Sequence, residues 1–233
     1  MDALGWNIMA AAAGVGLVHV VTGPDHMVPF VVLARAQGWS AGKTALVTAL
    51  CGVAHVASSL LLGGLGLALG WGLGRVTQWE ALRGEVAGWI LVAFGLAYAV
   101  WGTRKAFLHR HGVTLHAHNG QVHLHPQGAG PHVHRAPADS PVTFWSLFLL
   151  FAFGPCEPLI PLFMVPASGG RWDVAWAAGV VFSLVTLATM VAAVLLLRAG
   201  VYRLPLAGLE RWSHALAGAA IAVSGLAVTL LGL

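Results

Sequence analysis

Long uncharged apolar runs alternate with short polar breaks along the whole chain. A run must reach roughly 20 residues to cross about 30 Å of hydrocarbon as a helix. Four runs fall within or above the workable range of about 17–25 residues: Thr44 to Gly70, Val86 to Gly102, Val174 to Leu197 and Ser213 to Leu233. Two more, Ala3 to Leu33 and Val142 to Ala167, are interrupted by polar, helix-breaking residues. The pattern predicts an all-α integral membrane protein with six transmembrane helices. Three precede and three follow a polar middle, so the chain divides into a first three-helix repeat (1–107), a His-rich loop (108–140) and a second three-helix repeat (141–233).

The interrupted runs resemble each other. Gly23-Pro24-Asp25-His26 and Gly154-Pro155-Cys156-Glu157 each join a Gly-Pro breaker to two residues able to hold a metal or a proton, 131 positions apart. The first run has 31 residues, about 46 Å as one straight helix at 1.5 Å per residue. Pro24 has no amide to donate and clashes with the carbonyl four residues back. A break is therefore predicted near Thr22-Gly23-Pro24, and a second at Gly154-Pro155, extended by Pro158 and Pro161. A weaker match pairs 94–102 with 224–232 at an offset of 130. Coincidence in an apolar sequence is the alternative. Three spans per half is an odd number, so a true repeat is inverted, with broken first and fourth helices, an arrangement that marks binding sites in secondary transporters.

Composition supports a membrane location. Of 233 residues 58% are hydrophobic and 9% charged, against about 25% charged in soluble domains, and mean hydropathy is +0.80. The net charge of +4 is no sign of nucleic-acid binding, because its distribution follows the spans. Six crossings put nine Lys and Arg on one side and three (Arg75, Arg83, Arg171) on the other. The richer side is predicted to be cytoplasmic, with the His-rich loop inside and both termini outside. Re-entrant hairpins in place of the broken crossings would make the count seven to five. The first run is too long, and lacks the basic start, for a cleaved signal peptide. Two cysteines, both in apolar runs, argue against a disulfide framework.

Asp25, His26 and Glu157 all fall inside membrane runs. An acid at the bilayer centre costs about 2.5–3.5 kcal/mol on insertion scales, so such residues are functional candidates. Helix capping or pairing with histidine is the structural alternative. His19 precedes this pair, and Cys51 and His55 stand four apart on one helical face. A lone buried histidine is usually a satisfied core residue, but several ligand types here crowd the same runs. His19, Asp25, His26 and His55, with Cys51, Cys156 and Glu157 as further candidates, suit a borderline divalent transition metal. They do not resemble an all-oxygen cage. The middle loop adds His109, His111, His116, His118, His123, His125, His132 and His134 in His-x-His pairs, a composition that captures metal. Sensing of pH is the alternative use.

His19-Val-Val-Thr-Gly-Pro-Asp25-His26, followed by Gly52-Val53-Ala54-His55 and a His-rich loop between two halves, resembles the nickel/cobalt permease superfamily, in particular its six-helix, UreH-like branch. The resemblance implies a transporter, not an enzyme, with His19, Asp25, His26 and His55 along the ion path. The cargo would be nickel or cobalt, with zinc or iron as alternatives, and a cytoplasmic metallochaperone would be a fitting partner. The permease pattern has four residues between its His and Asp-His; five stand here. Gly154-Pro155-Cys156 is also similar to the Pro-Cys elements of thiol-disulfide electron carriers of the CcdA type. In those carriers the cysteines pair across the repeat, whereas the counterpart of Cys156 here is Asp25.

Overall fold

A computed structural model describes residues 2–108, 113–118, 121–126, 141–203 and 210–231. Its body is helical: α1 (Ala3–Thr22), α2 (Val28–Gln37), α3 (Ala41–Ala68), α4 (Leu73–Leu108), α5 (Pro141–Phe153), α6 (Leu159–Ser168), α7 (Trp172–Tyr202) and α8 (Ser213–Leu231). Among the described residues, five helical stretches are long and apolar enough to cross a membrane: α1, α3, α4, α7 and residues 210–231. This is the architecture of an all-α, multi-pass membrane protein. The sixth expected span is instead two short helices, α5 and α6, of 13 and 10 residues. A backbone hairpin, β1 (Val113–His118) with β2 (Gln121–Pro126), lies in the His-rich segment and sets His116 opposite His123.

Local chemistry explains the ends of the helices. Asp2 caps α1 by accepting the Gly5 amide at 2.9 Å, and Ser40 caps α3 by accepting that of Lys43 at 3.2 Å. Both are preferred N-cap residues because their oxygens satisfy amides that have no intrahelical acceptor. Gly38 ends α2 at φ 66°, a left-handed conformation open to glycine without penalty. Both predicted breaks occur. α1 stops at Thr22 and a 3-10 turn, Pro24–His26, intervenes before α2. α5 stops at Phe153, and α6 begins at Leu159. Pro161 does not extend the second break as expected. It is the third residue of α6, where its missing amide costs no intrahelical bond.

The helices pack in pairs. α4 lies along α8, α1 along α7, and α5 along α3, with α2 against α8 and α6 against α4 and α7. The α4–α8 seam has a regular pattern. Gly95 and Gly218 are so close to the partner backbone that a methyl group would strike Ala222 and Ala99 respectively. A Cβ on Gly225 would lie 2.9 Å from the Val92 nitrogen, and one on Gly88 3.1 Å from Thr229 Oγ1. As partner numbers rise on α4 they fall on α8, so the two helices are antiparallel. A shift of 130 residues turns each contact into another of the set: 88–229 becomes 218–99, and 92–225 becomes 222–95. Small residues permit such close backbone approach in membrane helix pairs.

The two ends of the bundle are tied differently. At one end Arg171 grips Asp2 through two contacts of 2.8 and 3.0 Å, joining α7 to α1. At the other, Tyr202 donates to the Ala34 carbonyl at 2.8 Å, and the guanidinium groups of Arg198 and Arg35 lie 4.2 and 5.1 Å from its ring centre. Buried apolar clusters fill both ends. One contains Phe30, Cys51, Phe151 and Met190, the other Met9, Cys156, Phe182 and Ala178.

Two outcomes follow from this packing. Gly218→Leu cannot be relieved by a rotamer change, because the obstacle is Ala99 backbone; it is expected to lower the thermal midpoint of the detergent-purified protein by more than Ala217→Leu on the same helix. Second, the hydrogen bonds from Arg171, with that of the Gly5 amide, hold the Asp2 carboxyl below its usual range. A lowered folded-state value makes the contribution present above the unfolded pKa, about 3.9, and lost as pH falls through the folded one. The stability gap between the native chain and Arg171→Ala is thus expected at neutral pH and should close in strong acid, as read by melting curves across pH.

Candidate metal centre

The first break brings together residues that a straight helix would separate. His19 is in the last turn of α1, and Gly23 donates its amide to the His19 carbonyl at 3.2 Å, closing that helix. The 3-10 turn then folds back, placing the His26 ring 4.5 Å from the His19 ring between centres. Gly23 is required for that fold: a Cβ there would strike His26 Nδ1 and lie 2.8 Å from Asp25 Oδ1. His55, midway along α3, completes a cluster with ring centres 5.1 Å from His26 and 5.8 Å from His19. Phe151 borders it on one side and Phe182 on the other.

One ring nitrogen from each of His19, His26 and His55 lies within 4.8 Å of the other two. His26 and His55 present Nε2 atoms 3.3 Å apart. Two nitrogens on one tetrahedral cation, at bonds of about 2.0–2.1 Å, are separated by about 3.3–3.4 Å. His26 Nδ1 lies 3.0 Å from Asp25 Oδ1. With Asp25 ionised, that nitrogen carries the proton and donates it, leaving Nε2 with a lone pair for a cation. A carboxylate orienting a ligating imidazole in this way is the usual outer partner of a metal-bound histidine. Three imidazoles favour a borderline divalent ion over magnesium or calcium.

The other expected ligands are placed less uniformly. Cys156 Sγ is buried 3.6 Å from His19 Nε2 but does not belong to the mutually close group. Cys51 shares a helical face with His55, yet it packs into the apolar cluster of Phe30 and Phe151. Glu157 is exposed and lines a cavity beside His19 and His26 rather than joining them. Of the loop histidines, His116, His118, His123 and His125 lie on the hairpin strands; His109, His111, His132 and His134 fall outside the described residues.

A second group was not anticipated. Glu80 on α4 is wholly buried. It accepts from Ser59 Oγ and from the Cys156 amide, the latter at 2.9 Å. Arg83 meets its other oxygen at 2.6 Å. The same guanidinium donates to Ser58 Oγ at 2.9 Å and to the carbonyls of Ala152 and Gly154 at 3.1 and 3.3 Å. The freed carbonyls at the end of α5 are thus satisfied by protein, as membrane depth demands. A span beginning at Val86 leaves both residues outside it and counts Arg83 as a flanking charge. α4 begins at Leu73, so Arg83 is internal. The one available signal was the spacing, an acid and a base three apart on one helical face.

No protein-family model, curated protein or solved structure matches this chain. The chemistry of the centre therefore rests on its own residues.

Removing one partner of a buried ion pair leaves the other uncompensated, at about 3–5 kcal/mol. Arg83→Leu is expected to lose stability on that scale in thermal unfolding. Glu80→Gln with Arg83→Leu, which removes both charges, should recover part of it.

Proposed function

We propose that the chain is a secondary transporter of a divalent transition-metal cation, with nickel or cobalt the foremost cargo. The observation that carries this reading is the trihistidine cluster, built at a helix break in the middle of an apolar bundle. A cation bound there replaces the hydration shell with imidazole nitrogens at a depth where no lipid group can serve. The reciprocal α4–α8 contacts support two inverted three-helix repeats, because equivalent residues exchange while the helices run antiparallel. In that arrangement the two breaks meet near the midplane, as in transporters with discontinuous helices.

The membrane is taken to be the cytoplasmic one, with the His-rich segment inside and the termini outside. Treating Arg83 as internal strengthens that orientation, since only Arg75 and Arg171 then remain on the sparser side. Asp25 is positioned to take up or release a proton as an ion arrives at or leaves His26. Ligand atoms must be deprotonated to bind, so affinity falls as pH is lowered. The histidines of the 108–140 segment would collect cargo from, or deliver it to, a cytoplasmic metallochaperone. The rival reading as a thiol-disulfide carrier gains nothing from the cysteines, which pack in separate apolar clusters.

Flux of Co2+ or Ni2+ into proteoliposomes tests the proposal. His26→Ala and His55→Ala are each expected to reduce flux at least tenfold, and Asp25→Asn to shift its pH dependence. Native rates in a His26→Ala/His55→Ala double variant would sink the site. Stoichiometric binding without any flux would reassign the chain as a membrane metal sensor or chaperone anchor.

A further inference from the structure

Glu85 has no role in the centre described above. It lies on α4 ten residues beyond Arg75 and nineteen before Arg104, about 15 and 28 Å along the helix axis at 1.5 Å per residue. That depth is within the hydrocarbon of a spanning bundle. A carboxylate at this depth faces protein or water rather than lipid.

Glu85 also lines a cavity. A space of about 500 Å³ is bordered by Glu85 and Glu157 together with His19, Asp25, His26 and Thr229. Next to it is a small space of about 30 Å³, bordered by Asp25, His55, Gly84, Gly154 and Pro155. That is room for one water or one bare cation. The two spaces share Asp25, Gly84, Pro155 and Val228. His55 Nδ1, buried beside the smaller one, makes no hydrogen bond of good geometry among the described residues. With Nε2 facing His26, Nδ1 carries the ring proton toward the Phe151 carbonyl, which leaves Nε2 as the atom for an arriving cation.

The two glutamates differ from Glu80. Glu80 is consumed by Arg83, Ser59 and the Cys156 amide. Among the described residues Glu85 and Glu157 are exposed, and their carboxylates form no hydrogen bond or ion pair. They stand on elements from opposite halves, α4 and the second break, on the border of one cavity that reaches two of the three histidines. Clefts lined by a single sign of charge between low-dielectric walls concentrate counter-ions.

We propose that this cavity is the aqueous entrance to the trihistidine centre, and that Glu85 and Glu157 form its cation-collecting pair. The proposal rests on the metal reading above and adds the route and two residues that set capture rate. The pair draws in a hydrated divalent cation; the histidines, deeper in, strip and hold it. The carboxylates act on arrival, not as ligands of the bound ion.

Stopped-flow binding of Co2+ to the detergent-purified full chain tests this. Glu85→Gln/Glu157→Gln is expected to slow association about tenfold at low ionic strength. It should leave the dissociation rate and the visible absorption of the bound Co2+ unchanged. The difference should shrink as salt is added. Equal association rates would overturn the proposal. So would an altered spectrum, which would make the carboxylates ligands or supports of the site. If the native chain binds no Co2+, the metal reading itself fails, and the entrance is judged separately. Ala81, exposed on the same cavity, is replaced in Ala81→Cys and treated in sealed vesicles with a charged, membrane-impermeant thiol reagent. Labelling above that of the native chain, whose two cysteines are buried, is expected; no labelling overturns the entrance.

Discussion

A helix broken inside a membrane leaves carbonyl groups that lipid cannot satisfy, and the organisation of this protein depends on how those groups are met. At the second break the answer is Arg83. Its guanidinium reaches two freed carbonyls while Glu80 compensates its charge and holds the Cys156 amide. At the first break the chain closes on itself in a 3-10 turn, with the amides of His26 and Met27 returning to Gly23 and Pro24. The ion pair fixes one break as a rigid wall. The turn leaves the other with its side chains directed at a partner on α3.

This division explains why the chemistry is concentrated on one side. His19 and His26 flank the turn, and His55 faces them from α3. Cys156, the counterpart of Asp25 in the sequence match, contributes its backbone to the Glu80 network and brings its sulfur near His19. The two breaks are alike in sequence and unlike in use. What they share is proximity to the α4–α8 seam, where glycines bring the two halves into backbone contact.

The breaks were legible in the sequence because a proline without an amide is a local fact that no neighbour can reverse. The histidines were legible for a related reason: polar groups are conspicuous in an apolar run. The Glu80–Arg83 pair was hidden because a search for uncharged runs ends a span at its first charges. These two neutralise each other inside the helix. Cys51 was misleading since sharing a face with His55 does not fix depth; one turn away, the same face meets Phe30 and Phe151. Pro161 was read as part of the break, though the first turn of a helix tolerates proline. Five long helices and a divided sixth were out of reach of a length rule, which cannot tell a kinked span from two short helices.

The placement of the three imidazoles has a mechanical consequence. They belong to three segments: the end of α1, the 3-10 turn that follows it, and the middle of α3, which the chain reaches through α2. An ion held by all three is a staple across those segments, and its stiffness is that of coordinate bonds rather than side-chain packing. Its release would require at least one imidazole to withdraw, and the turn carrying His26 is tightly packed: at Gly23 even a methyl group would collide with the Asp25 and His26 side chains.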